Sequence, residues 1–273
     1  MRRLVVTADD LARDPATTDV VLGLVRDGCV TATTLIPVAP GSASAAAGAR
    51  ALGVTPRLHL TLTGERGLPR WHPLTSGSGL AGADGALTDD PFVVAARAEP
   101  EDVVAELDAQ LAWMRAQGLE PTAADSHAGT LYGLHGRSYL AEALAWCARN
   151  GLAFRLPRDP VPYLGGPVPA ELAHRHAQAV RLADDLGVTL PEIIMTNRLT
   201  AAQHGSYEAL RSDLVTRLDL LPEGTSELFL HPSTADAALG GAVRAWEARL
   251  LRDPVWHAAV EAAGIRLVEG WTS

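Results

Sequence analysis

The chain has 273 residues, 47 % of them hydrophobic, and a net charge of −9 at pH 7, so it can bury a large core and its length fits one large domain or two small ones. The acidic balance and the lack of any basic run argue against nucleic acid or an anionic membrane as the main partner and leave a small polar molecule as the expected one. All 23 basic residues are arginine, which removes Schiff-base chemistry and the phosphate-loop lysine from consideration.

No stretch approaches the roughly 18 uncharged apolar residues needed to span a bilayer, and the N-terminus lacks a signal core, so a cytoplasmic location is expected. Cys29 and Cys147 lie far apart and read as buried thiols.

In chain order, residues 4–8 form a short apolar run that stops on Asp9 and Asp10, the pattern of a buried strand delivering charge to the mouth of a site. Val20, Val21, Leu24 and Val25 recur at helical spacing over 17–26, and Gly28 stops the helix. A β-branched strand over 30–36, an Ala-rich helix over 42–52 and a third strand over 57–62 follow. Residues 64–100 are rich in Gly, Pro and Asp, with Arg70-Trp71-His72 as their one concentration of recognition-type side chains; a long lid-like insertion is expected. Helical spacing resumes over 101–117, a weak strand at 122–124 runs into Asp125-Ser126-His127, and a helix over 138–150 meets Gly151 as its left-handed cap. Strands at 153–156, 192–197 and 227–230 then alternate with helices over 170–186, 201–220, 241–251 and 254–263, and 265–269 closes the series. Such alternation predicts a parallel sheet and, at this length, a TIM-like (β/α) barrel, irregular or incompletely closed, in a single domain; a doubly wound open sheet is the alternative.

Polar residues gather at the C-terminal ends of the predicted strands: Asp9, Asp10, His59, Asp125, His127, Arg155, Asn197 and His231. In a βα barrel that end holds the active site. Two histidines and a carboxylate from three strands make a ligand set for a divalent ion, and Asp10, His59 and His127 are the proposed three. Neighbouring residues of a strand point to opposite faces, so Asp9 can share this site only if the chain is already turning there. It is then free to act as a base. His231 is either a capping residue before Pro232 or a general acid at the rim. Arg70, Trp71 and Asp125 are the expected substrate contacts, with Trp71 stacking on a sugar ring or packing on its own loop.

Thr7-Ala8-Asp9-Asp10, Leu58-His59-Leu60-Thr61-Leu62-Thr63, Asp125-Ser126-His127 and Phe229-Leu230-His231-Pro232, in this order from end to end, resemble the YdjC-like carbohydrate deacetylases. The resemblance implies a barrel-like fold that hydrolyses N-acetyl groups from a sugar, with one divalent metal, zinc or magnesium, on Asp10, His59 and His127. It implies Asp9 as base, Arg155 as the arginine that orients it, and His231 as the group that protonates the leaving amine. Family members often carry Asn before Ala-Asp-Asp, an aromatic–Gly pair after it, and further histidines after Asp-Ser-His. This chain has Thr7, Leu11-Ala12 and Ala128-Gly129-Thr130 at those places, the mark of a subfamily. The expected partner is an acetylated mono- or oligosaccharide; a homodimer is allowed by the sequence but not required. Two rival readings are a metal-free glycoside hydrolase using Asp9 and Asp125, and a sugar-binding relative without catalysis.

Overall fold

The computed structural model describes residues 1–76, 79–236 and 241–271. Its parallel strands are β1 (Arg2–Leu11), β2 (Ala32–Leu35), β3 (Arg57–Leu60), β4 (Ala123–Ser126), β5 (Ala153–Phe154), β6 (Ile194–Met195), β7 (Gly224–Leu230) and β8 (Arg266–Leu267). They lie in the order β5-β4-β3-β2-β1-β7-β6. β8 pairs with Arg3 and Leu4 of β1, below the point where β2 begins pairing at Thr7. The strand ladder stops at β5 and β6, and three backbone bonds outside it bridge the seam: Phe154 N–H to Thr189 C=O at 3.0 Å, Arg158 N–H to Pro191 C=O at 2.9 Å and Asp159 N–H to Glu192 C=O at 3.0 Å. The sheet is therefore an incompletely closed TIM-like barrel, as the alternation predicts.

The helices are α1 (Pro15–Arg26), α2 (Ser42–Ala51), α3 (Pro91–Arg97), α4 (Pro100–Ala116), α5 (Leu140–Asn150), α6 (Val161–Leu164), α7 (Ala170–Leu186), α8 (Ala201–His204), α9 (Tyr207–Thr216), α10 (Gly241–Leu250) and α11 (Pro254–Ala262). Among the described residues no helix is long and apolar enough to cross a membrane. The helix expected over 201–220 is broken by Gly205, whose φ of 77° no right-handed helix accommodates.

Alternation along the strands sorts the interior. Leu4, Val6, Ala8, Leu58, Leu60 and Leu228 join the core shared with the helices, while their odd-numbered neighbours face into the barrel. Val5, Ala123, Ala153 and Trp271 form a small apolar floor. Above it Glu227 accepts from Thr7 Oγ1 at 2.5 Å and from Arg57 at 2.9 Å. Above that lie Asp9, His59, Asp125 and Arg155.

The segment 64–100 does not hang over the barrel mouth. Leu74 and Thr75 donate their backbone N–H groups to the buried Glu106 carboxylate of α4 at 3.0 and 2.9 Å. Ala81 and Leu87 form an antiparallel bridge, and Trp71 is 1 % exposed. A buried carboxylate and a buried indole tie the segment down against the barrel wall. Of its described residues, which omit 77 and 78, only Glu65 lines the main cavity.

The end of β1 carries the decisive irregularity. Ala8 pairs with Thr33 but the next partners are Leu11 and Leu35, so Asp9 and Asp10 together oppose the single Thr34. This is a β-bulge, and it supplies the turn that lets adjacent carboxylates share one site. Asp10 takes a φ of 72° and Ala12 one of 83°. Aspartate tolerates the left-handed region; alanine is strained there by about 1–2 kcal/mol. Replacing Ala12 by Gly should remove that strain and return part of it as chain entropy, for a net gain of up to about 1 kcal/mol in urea unfolding. A loss of stability in that measurement would show the backbone at Ala12 to be unstrained.

Candidate active site

Thr34 fixes both acids of the bulge: its Oγ1 accepts from Asp10 N–H at 3.3 Å and donates to Asp9 Oδ1 at 3.0 Å. The two carboxylates then diverge in their partners. Asp9 is gripped by Arg155, Nη1 to Oδ2 at 2.7 Å and Nη2 to Oδ1 at 3.0 Å. Asp10 Oδ2 accepts from Arg244 Nη1 of α10 at 2.8 Å, while its Oδ1 is buried and accepts no hydrogen bond.

That unpartnered oxygen stands 3.4 Å from His59 Nε2 and 3.5 Å from His127 Nδ1, and the two ring nitrogens are 3.2 Å apart. Burial alone would raise the Asp10 carboxyl, but Arg244 and the two imidazoles hold it well below the usual range. Behind His59, Nδ1 lies 2.7 Å from Asp125 Oδ1. Burial opposes ionisation of Asp125, yet Arg155 and His59 keep it below its ordinary value. It is an acceptor only, so Nδ1 carries the hydrogen and Nε2 is the nitrogen offered to the triangle. Behind His127, Nε2 faces Glu65 Oε1 at 3.4 Å, which likewise leaves Nδ1 for the triangle. Glu65 in turn is braced by Arg13 Nε at 3.3 Å.

Three donors 3.2–3.5 Å from one another, all buried, are within reach of one ion that sits ~2.0–2.2 Å from each, and both imidazoles have a carboxylate on the far nitrogen. The residues fit a metal, and Asp10, His59 and His127 could hold one. A second grouping, Asp9, His59 and Asp125, is already filled by Arg155, whose Nη1 contacts Oδ2 of both acids.

His231 Nε2 stands 4.0 Å from Asp9 Oδ2, with its side chain 33 % exposed. Its backbone N–H donates to Glu247 Oε2 at 2.7 Å, and the other Glu247 oxygen accepts from Asn197 Nδ2 at 2.7 Å. Asp9, Asp10, His59, His127, Arg155 and His231 all line one cavity of about 760 Å³ at the C-terminal strand ends.

None of the three residues expected to contact substrate lines this cavity. Asp125 is fully buried and absent from the cavity wall, with Oδ1 against His59 Nδ1 and Oδ2 in contact with Arg155 Nη1. Trp71 packs its ring 5.7 Å from that of His127 and has no free face. Arg70 lies on the surface, paired with Asp84 at 2.6 Å. The arrangement also gives Asp9 and Asp125 no place on opposite sides of a glycosidic bond, since both point at one guanidinium. Arg244, Glu65 and Glu227 escaped the sequence reading. Glu227, a lone acid heading the apolar run Leu228-Phe229-Leu230, offered a signal; Arg244 and Glu65 offered none.

Burial disfavours the His59 imidazolium, but Asp125 and Asp10 outweigh it and push the ring up to about 10. Without a cation the second proton sits on Nε2, and a metal must displace it. Affinity for zinc should therefore rise between pH 6 and 9, with proton release seen as a buffer-dependent heat in calorimetry; a pH-independent affinity would contradict this arrangement. Asp125→Asn leaves the His59 ring without its anionic brace, and zinc affinity should fall about 10- to 100-fold with the fold intact by circular dichroism.

A family model described as YdjC-like protein matches residues 3–262. No curated protein matches the chain. A crystal structure from Enterococcus faecalis V583, described as a proposed cellobiose-phosphate cleavage protein, is similar with a TM-score of 0.78 and 24 % identity, over 98 % of this chain and 97 % of that one. An uncharacterized protein from Agrobacterium tumefaciens C58 aligns with a TM-score of 0.49 and 14 % identity, over 98 % and 87 %. The first likeness shows the same fold; the family match spans nearly the whole chain, and the protein belongs to the YdjC-like family of carbohydrate-processing enzymes.

Proposed function

We propose that the protein is a metal-dependent carbohydrate deacetylase acting on the N-acetyl group of a mono- or oligosaccharide. The observation that carries this reading is the unpartnered Asp10 Oδ1 beside His59 Nε2 and His127 Nδ1, one residue from a second carboxylate that is clamped by Arg155. The donor set favours zinc. Two imidazoles and one carboxylate from three strands are the kind of mixed N/O set that zinc takes at an open site. A divalent ion held there would lower the pKa of water and polarise the acetyl carbonyl.

The chain's own residues supply the rest. Asp9 takes the proton of the attacking water on Oδ2, the oxygen that faces His231. Arg155 holds the carboxylate plane by two hydrogen bonds, so the base stays aimed at the cavity. A C–O bond to the acetyl carbon forms, the C–N bond breaks, and His231 returns a proton to the departing sugar amine, giving acetate and a free amine. The same proposal places the reaction in the cytoplasm, with a small acetylated sugar and neither nucleic acid nor membrane as partner.

The test is acetate release from a panel of N- and O-acetylated sugars, with and without chelator. Chelation should abolish release and zinc restore it. Asp9→Asn should lower kcat by about 10²- to 10⁴-fold while leaving zinc binding in place, and Asp10→Ala should lose zinc. Full activity in either variant, or activity that survives chelation, would overturn the proposal.

A further inference from the structure

The two oxygens of Asp10 have different neighbours. Oδ1 is buried without a hydrogen bond and stands 3.4 Å from His59 Nε2 and 3.5 Å from His127 Nδ1. Oδ2 accepts from Arg244 Nη1 at 2.8 Å. One carboxylate thus offers a free oxygen to the histidines and a paired oxygen to a cation that comes from a helix, not from a strand end.

That helix is fixed at two points. The backbone C=O of Arg244 accepts from Ser233 N–H at 3.2 Å, and Ser233 Oγ lies 2.9 Å from Thr17 Oγ1 of α1. Three residues further along α10, Glu247 Oε2 accepts the backbone N–H of His231 at 2.7 Å. These bonds seat α10 on the segment that follows β7, and the Arg244 side chain, 14 % exposed, reaches the cavity wall beside Asp10. A guanidinium offers donors only and keeps its charge throughout the range in which proteins work. A metal ion cannot approach Oδ2 without displacing it.

The number of donors then decides what a metal held here can do. Two imidazoles and one carboxylate oxygen give zinc three protein ligands and an open position, the pattern of catalytic sites; both oxygens would make four and close the site, the pattern of structural ones. We propose that Arg244 is a positioning residue that reserves Asp10 Oδ2, so that Asp10 gives a metal a single oxygen and the site stays open while its affinity is held down. Asp125 and Arg244 act in opposite senses on the same site. The anion behind His59 makes that ligand a better donor, and the cation behind Asp10 makes that one a poorer donor. The inference rests on the metal-dependent deacetylase reading and deepens it.

The experiment compares the parent protein with Arg244→Met, measuring zinc affinity by competition with a chromogenic chelator and acetate release from N-acetylated sugars. The variant should bind zinc about 10- to 100-fold more tightly, the size usual for a change behind a ligand but of opposite sign, and its kcat/KM with zinc bound should fall at least about tenfold. Arg244→Lys, which keeps a cation for Oδ2, should return both quantities toward the parent values. Arg244→Gln removes the charge but keeps a polar side chain on the cavity wall, and gives the same two readings if Met disturbs the fold seen by circular dichroism. Zinc affinity that is unchanged or weaker in the uncharged variants would show Arg244 to be a brace for Asp10 and overturn the inference, while acetate release by the parent leaves the deacetylase reading standing. Tighter zinc with undiminished kcat/KM would overturn it as well, since the open position would not depend on Arg244. A parent protein that neither binds zinc nor releases acetate would sink both readings together.

Discussion

The top of the barrel depends on one guanidinium. Arg155 bonds Asp9 through Nη1 and Nη2, Glu227 through Nε and Nη2, and contacts Asp125 through Nη1. Burial works against the cation, but Asp125, Asp9 and Glu227 hold its pKa well above the usual value. Three carboxylates gathered in the barrel interior would otherwise repel one another and remain unsolvated, and stripping a buried ion pair of one partner costs about 3–5 kcal/mol. Arg155 thus keeps Asp9 aimed while it braces Asp125, which sets the tautomer of His59. One residue links the proposed base to the proposed metal site.

The balance of charge around that residue explains why the site favours a cation. Asp9, Asp10, Asp14, Asp125, Glu65 and Glu227 face Arg13, Arg57, Arg155 and Arg244 through contacts within the barrel and at its rim. Six acids against four arginines leave carboxylates in excess, and Asp10 Oδ1 is the oxygen that stands beside the two imidazoles. A proton on His59 or a divalent ion offsets that excess, and these compete for the same nitrogen. Arg244 on Oδ2 restricts Asp10 to offering a single oxygen.

The bulge at the end of β1 gives Asp9 and Asp10 their separate tasks. In a regular strand they would point to opposite faces; here Thr34 serves both, and the left-handed φ at Asp10 swings its carboxylate to the same side. Ala12 stands two residues on at φ 83°, where relatives that carry an aromatic–Gly pair have the residue best suited to that conformation. With Leu11-Ala12 at that place both acids line the cavity.

The sequence by itself determined the strand-helix alternation, the parallel barrel and the residues at the strand ends, because short apolar runs that stop on Asp, His or Arg mark both periodicity and topology. His59, His127, Arg155 and His231 were legible for that reason. Only the tertiary structure decided which groups meet. Arg244 and Glu65 reach the centre from a helix and a loop whose local sequence carries no trace of the contact, while Trp71 and Arg70, conspicuous in the chain, stay off the cavity wall, the indole buried against His127 and the guanidinium paired with Asp84 at the surface. Asp125 changed role for the same reason: its place at a strand end was readable, but whether its oxygens faced solvent or a histidine was set by neighbours from other strands. Local pattern specifies which face a residue takes, and long-range packing specifies its partner.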